Sequence, residues 1–167
     1  SIFAYSGHPN VVAALRLTPL VFVRPGELRT MEWTEVDLET AEWRIPGAKM
    51  KMKADHIVPL STQAVALLRG MHPATGHGKF VFPSLRTGER PMSENTINAA
   101  LRRMGYSTKE DSTGHGFRAT ARTILDERLG FDRTAIKAQL AHSAKDLNGR
   151  AYNRTEFVEQ RRTMLQA

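Results

Sequence analysis

The stretch Gly114-His115-Gly116-Phe117-Arg118-Ala119-Thr120 is flanked by glycine and opens an amphipathic helix. On a helix, positions three apart share one face, so the His115 imidazole and the Arg118 guanidinium project together. Such a pair can hold an anionic oxygen and manage a proton beside it. Further cations and a phenol lie elsewhere. Arg24 follows an apolar run and precedes Pro25, Lys49, Lys51 and Lys53 occupy alternate positions, His142 ends Ala138-Gln139-Leu140-Ala141-His142, and Tyr152 follows. Singly, each has a bland reading. Arg24 complements Glu27, the lysines form a solvated strand edge, His142 caps a helix C-terminus, and Tyr152 is a core or surface aromatic. Together they present Arg, Lys, His-x-x-Arg, His and Tyr in that order.

Other chemistries fit less well. Gly114-x-Gly116-x-x-Ala119 imitates a dinucleotide fingerprint, but that motif needs a buried strand just before it. Here Lys109-Glu110-Asp111-Ser112-Thr113 precedes it. No histidine pair has His-Glu-x-x-His spacing, and His72 and His77 sit in a Gly/Pro-rich stretch without nearby carboxylates, so no metal site is expected. A hydrolase elbow of the G-x-S-x-G type is absent.

The elements that must carry these residues can be read from pattern. Val11–Leu20 reads as a buried helix, apolar all round. Pro25 suits the first turn of a second helix running to about Trp33, with Glu27 in its favourable N-terminal turn. Three short segments, Val36–Leu38, Glu42–Pro46 and His56–Leu60, read as a small antiparallel sheet. The connection between the last two carries the three lysines, and on an extended backbone they form one cationic edge. Ser61 caps a helix to about Gly70 with Val65 and Leu68 inward. Met71–Lys79 reads as loop and Phe80–Pro83 as a buried strand or plug. Ser93 caps a helix to Met104, stopped by Gly105, and Tyr106–Thr113 is loop. The helix after His115 buries Phe117, Ala121, Ile124 and Leu125 and ends at Gly130. Asp132 caps Arg133–Ala141, and a last helix carries Tyr152, Phe157 and the basic pair Arg161-Arg162. The expected fold is α+β, mainly helical, with a three-stranded antiparallel sheet in the N-terminal half, spanning 1–167 as a single domain.

At 167 residues and 41% hydrophobic the chain can bury a proper core. It has no cysteine, which excludes disulfides and thiolate catalysis and fits a cytoplasmic protein. No apolar run reaches the roughly 20 residues of a membrane helix, so no membrane partner is expected. The excess of 24 Lys+Arg over 17 Asp+Glu, a net charge of +7, favours a polyanionic partner, nucleic acid first.

In this order and spacing the residues resemble the catalytic domain of tyrosine recombinases, the phage and genomic-island integrases, especially the satellite-phage type. Val23-Arg24-Pro25-Gly26-Glu27-Leu28 matches the family's first box, with Arg24 as its first catalytic arginine and Glu27 as its supporting acid. The family's lysine lies eight residues before the proline of Val58-Pro59-Leu60, which selects Lys51, with Lys49 and Lys53 as alternatives for the acid and as DNA contacts. His115 and Arg118 match the His-x-x-Arg box, and Leu140-Ala141-His142 the Leu-Gly-His position. Tyr152 stands in Ala151-Tyr152-Asn153-Arg154 as in the satellite-phage subgroup.

The resemblance implies metal-independent DNA cleavage and rejoining without a cofactor. Tyr152 would attack the scissile phosphate to give a 3′-phosphotyrosyl link. Arg24 and Arg118 would stabilise the nonbridging oxygens. Lys51 would protonate the leaving 5′ oxygen, His115 would relay the tyrosine proton, and His142 would hydrogen-bond the phosphate. It also implies double-stranded DNA attachment sites as partners, a homotetramer on DNA in the full-length protein, and action at the nucleoid of a bacterial host. The family places core-binding and arm-binding domains before this one, so the chain reads as a fragment. The rival readings are a type IB topoisomerase, which uses a similar residue set, and a DNA-binding remnant that has lost cleavage.

Overall fold

The computed structural model describes residues 5–51, 53–106, 114–140 and 157–167, with the backbone alone at 114, 115 and 117. The most apolar stretch becomes α1, Pro9–Val21, opened by the His8 side chain, which accepts from the Asn10 amide at 3.2 Å. Leu15, Leu17 and Val21 are fully buried, and α1 packs against helices from both halves of the chain. The helix ends without glycine. Phe22 takes a left-handed conformation at φ 52°, turning the chain towards Arg24. A non-glycine residue there is held by its surroundings at a cost of about 1–2 kcal/mol.

Pro25 opens α2, Pro25–Arg29, which is shorter than the expected helix to about Trp33. The reason is tertiary. The Met31 carbonyl accepts from the Val81 amide at 2.9 Å and the Trp33 amide donates to the Lys79 carbonyl at 3.1 Å. Lys79 and Val81 thus take backbone groups that a longer helix would use, and Val81 and Phe82 are fully buried beneath. A 3-10 turn, Trp33–Glu35, leads into the sheet: β1 Val36–Asp37, β2 Glu42–Ile45 and β3 His56–Pro59, antiparallel in the order β1-β2-β3. Trp43 pairs with Val36 on one side and Val58 on the other. Its ring is fully buried.

Ser61 caps α3, Thr62–Thr75, by accepting from the Ala64 amide. The expected stop near Gly70 and the loop from Met71 are not observed. Instead the Thr75 hydroxyl donates to the Val81 carbonyl at 3.1 Å and accepts from Trp33 Nε1 at 3.2 Å, which fixes one more turn. α4 spans Asn95–Arg103 and ends where Gly105 adopts φ 87°. α5, Gly114–Thr123, continues into a wider π-type turn, Ile124–Arg128. The extra residue in that turn rotates the face, so Leu125 is buried while Ile124, expected inside, is 39% exposed. α6, Arg133–Gln139, starts on Asp132, which accepts from the Thr134 and Ala135 amides. α7 spans Val158–Gln166.

Two apolar clusters result. The larger joins α1, the sheet, α3 and α4. The smaller, Leu125, Ile136, Leu140 and Met164, unites the π-type turn after α5 with α6 and α7, with Phe22 packed against it. The turn at Phe22 therefore sits between the two, immediately before Arg24.

Candidate active site

Arg24 precedes α2 and is held by Glu27. Its amide donates to Glu27 Oε2 and its Nη1 to Oε1, both at 2.9 Å. Glu27 is buried while the Arg24 side chain stays 26% exposed. A buried carboxylate so paired fixes the arginine's stem and leaves its other N–H groups for a ligand.

Arg118, in α5, is buried. Its Nη1 donates to the Phe22 carbonyl at 2.6 Å and its Nη2 to the Leu140 carbonyl. The left-handed turn at Phe22 and the end of α6 thus aim this side chain. Burial first, and then the positive charge of Arg24, push its pKa down to about 10, with Glu27 opposing. Two arginines distant in sequence are thus close enough for the charge of one to act on the other. At neutral pH Arg118 remains charged.

The lysine segment differs from the expected extended edge. Gly47–Lys49 forms a 3-10 turn, so the three lysines do not share one direction. Lys49 turns inward. Its Nζ donates to the Thr30 carbonyl at 2.9 Å and Glu32 Oε1 at 2.7 Å, and also meets Glu35 Oε1. An ammonium has three donors, and all are engaged, so Lys49 stands in an internal ion pair. Lys51 and Lys53 are exposed. They line an open cleft of about 610 Å³ together with Arg24, Glu27 and Lys49, and with Asn98 of α4.

His115 lies in the first turn of α5, one turn before Arg118, and its side chain is outside the described residues. His142 and Tyr152 also lie outside them. Among the described residues, no group of three or more His, Cys, Asp or Glu could hold a metal ion, and no helix is long and apolar enough to cross a membrane.

A polar network missed in the sequence braces the same frame. Arg161 is fully buried in α7. Its Nε donates to Gln139 Oε1 at 3.0 Å and its Nη2 to the Ile57 carbonyl. Gln139 Nε2 donates to the Val21 carbonyl at 2.8 Å, and its own carbonyl accepts from His56 Nε2 at 3.1 Å. Desolvation pushes the Arg161 pKa down to about 10. The signal was available: Arg161 shares a helix face with the apolar Met164 and Leu165, three and four residues on. The expected basic pair is therefore split. Arg162 is the outer member, donating to the Thr40 carbonyl and to Glu42 Oε1, each at 3.1 Å.

Residues 12–159 match the phage integrase family. The chain is 42% identical to the integrase of Enterobacteria phage P4 over 176 residues, covering 98% of this chain and 40% of that protein. It spans less than half the length of the curated relatives it matches. Among solved structures it superposes on the integrase from mycobacterium phage Brujita with a TM-score of 0.73 at 18% identity, covering 99% of this chain and 53% of that one. It also superposes on a lambda integrase tetramer bound to a Holliday junction, with a TM-score of 0.62 at 19% identity, covering 86% and 43%. Those identities carry the fold alone, which is that of the tyrosine-recombinase catalytic domain. With the family match running through the segments that hold Arg24, Arg118 and Tyr152, the conclusion follows that the chain belongs to the phage integrase family.

Proposed function

We propose that this chain is the catalytic domain of a site-specific recombinase that integrates or excises a mobile element. The observation that carries the reading is that Arg24 and Arg118 are each fixed around the Phe22 turn, one tethered to a buried carboxylate and the other to two backbone carbonyls, near enough for their charges to interact. Preorganised guanidinium donors of this kind stabilise charge developing on nonbridging phosphate oxygens.

In the proposed reaction the Tyr152 oxygen attacks the scissile phosphorus while its phenolic proton passes to His115. The bond from phosphorus to the 5′ oxygen breaks, and that oxygen takes a proton from the Lys51 ammonium. His142 donates a hydrogen bond to the phosphate. A 5′-hydroxyl from another strand then attacks the 3′-phosphotyrosyl link, releases Tyr152 and restores a phosphodiester. One bond replaces another of the same kind at each step, so no nucleotide cofactor is consumed.

Double-stranded attachment-site DNA is the proposed substrate, met through phosphates by Lys53 and the net positive charge. The greater length of the relatives supports further DNA-binding domains in the whole protein, and the lambda tetramer on a junction supports a tetrameric assembly in the bacterial cytoplasm. The test is a nicked suicide substrate, from which the cleaved end diffuses away. A covalent adduct should accumulate with the unsubstituted chain and be absent with Tyr152→Phe. An adduct formed by the phenylalanine variant would sink the assignment.

A further inference from the structure

Resting on that reading, which makes Lys51 the proton donor, we propose that Lys49 is a positioning residue: its ion-pair clamp holds the β2–β3 turn so that Lys51 faces the cleft. The clamp is built from both sides. Glu32 and Glu35 hold the Lys49 ammonium together with the Thr30 carbonyl. Glu35 is itself fixed, because its Oε2 accepts from Trp43 Nε1 at 3.1 Å and from the Glu32 amide at 3.2 Å. The turn is thereby tied to the segment after α2 and to the buried ring of β2.

The turn closes tightly around this anchor. The Gly47 amide donates to Asp55 Oδ1 at 2.8 Å, the Met50 amide to the Gly47 carbonyl at 3.0 Å, and the Lys53 amide to the Met50 carbonyl at 3.1 Å. A Cβ at Gly47 would lie 2.8 Å from the Lys53 carbonyl oxygen, so the returning strand leaves no room for a side chain there. Met50 is buried to 1% exposure. Lys49 and Met50 therefore act as two consecutive inward pegs, and the next residue, Lys51, is exposed on the cleft that Arg24 also lines. A lysine at 51 on an untethered loop would sample many positions, and misplacing a reacting group by about 1 Å costs on the order of 10²-fold in rate.

Lys49→Gln removes the charge that closes the clamp. Glu32→Gln loosens it from the other side while keeping both lysines. Each is assayed beside Lys51→Ala by single-turnover adduct formation, on an ordinary nicked duplex and on one whose scissile bond carries a bridging 5′-sulfur. A thiolate leaves without a proton, so a variant impaired only in proton donation regains its rate there. The expected result is that all three variants slow on the oxygen substrate, by up to about 10²-fold, and recover on the sulfur substrate. Should Lys49→Gln fail to fold, Glu32→Gln gives the same reading. If the two clamp variants stay slow on sulfur while Lys51→Ala recovers, Lys49 is structural only and the proposal falls. If Lys49→Gln recovers and Lys51→Ala does not, Lys49 is itself the acid. If none recovers, the assignment of Lys51 fails first and takes the proposal with it.

Discussion

The Arg118 guanidinium donates to the carbonyl of Phe22 at 2.6 Å, and Phe22 stands two residues before Arg24. One arginine of the site is thus positioned by the backbone turn that delivers the other. Arg118→Lys keeps the charge but cannot reach Phe22 and Leu140 together, since an ammonium lacks the rigid fork. Adduct formation should fall by about 10²-fold or more, the scale of losing one preorganised donor. Rapid-quench single turnover measures it, and a rate near that of the unsubstituted chain would refute the role.

Glu27→Gln tests the other arm. An amide offers one acceptor oxygen where the carboxylate offers two, so either the Arg24 amide or its Nη1 loses its partner. A hydrogen bond to a charged group is worth about 1.5–3 kcal/mol, so cleavage should drop at least tenfold, with Arg24→Ala more severe. Filter binding at low salt should change little for Glu27→Gln. A large loss of affinity there would point to a broken fold instead.

Adjacent arginines of α7 should behave oppositely. Arg161→Ala leaves Gln139 Oε1 and the Ile57 carbonyl buried without this donor, at about 1–3 kcal/mol for each unsatisfied group. Arg162→Ala removes a partly exposed pair with Glu42, worth about 0–1 kcal/mol. Urea unfolding of the two variants checks the contrast, and equal midpoints would contradict the burial of Arg161.

Asp132 caps α6, and the hydrogen bonds from the Ala135 and Thr134 amides hold its carboxyl below the ordinary range. A depressed folded pKa gives stability that is complete above the unfolded pKa of about 3.9 and is lost as pH falls through the folded value. Asp132→Ala should cost about 0.5–2 kcal/mol at neutral pH, and Asp132→Asn much less. The Asn variant should also lose less stability than the unsubstituted chain between about pH 5 and 2, measured by thermal melts across that range.

What could be read without coordinates was local. The caps at Ser61 and Asp132 depend on side chains bonding amides two or three residues away, so their signal lies within one turn of the residue itself. The three strands followed from short alternating segments between turn residues, and the helix beginning at Gly114 from its apolar period. The ends of α2 and α3, which differ from the expectation, depend on a distant partner. α2 stops where Lys79 and Val81 claim the backbone after it, and α3 runs on because Val81 and Trp33 hold Thr75.

The sequence by itself determined the family and the order of the candidate residues, since residue type and spacing are properties of the chain alone. It named Arg24, Glu27 and Arg118, and it left three lysines standing on an apparent edge. Only the tertiary structure decided that Lys49 is bound by Glu32 and Glu35 while Lys51 and Lys53 face outward, and that Arg161 is buried while Arg162 is not. A cation's exposure depends on which acceptors the fold brings within about 3 Å of it. Those acceptors come from other elements of the chain.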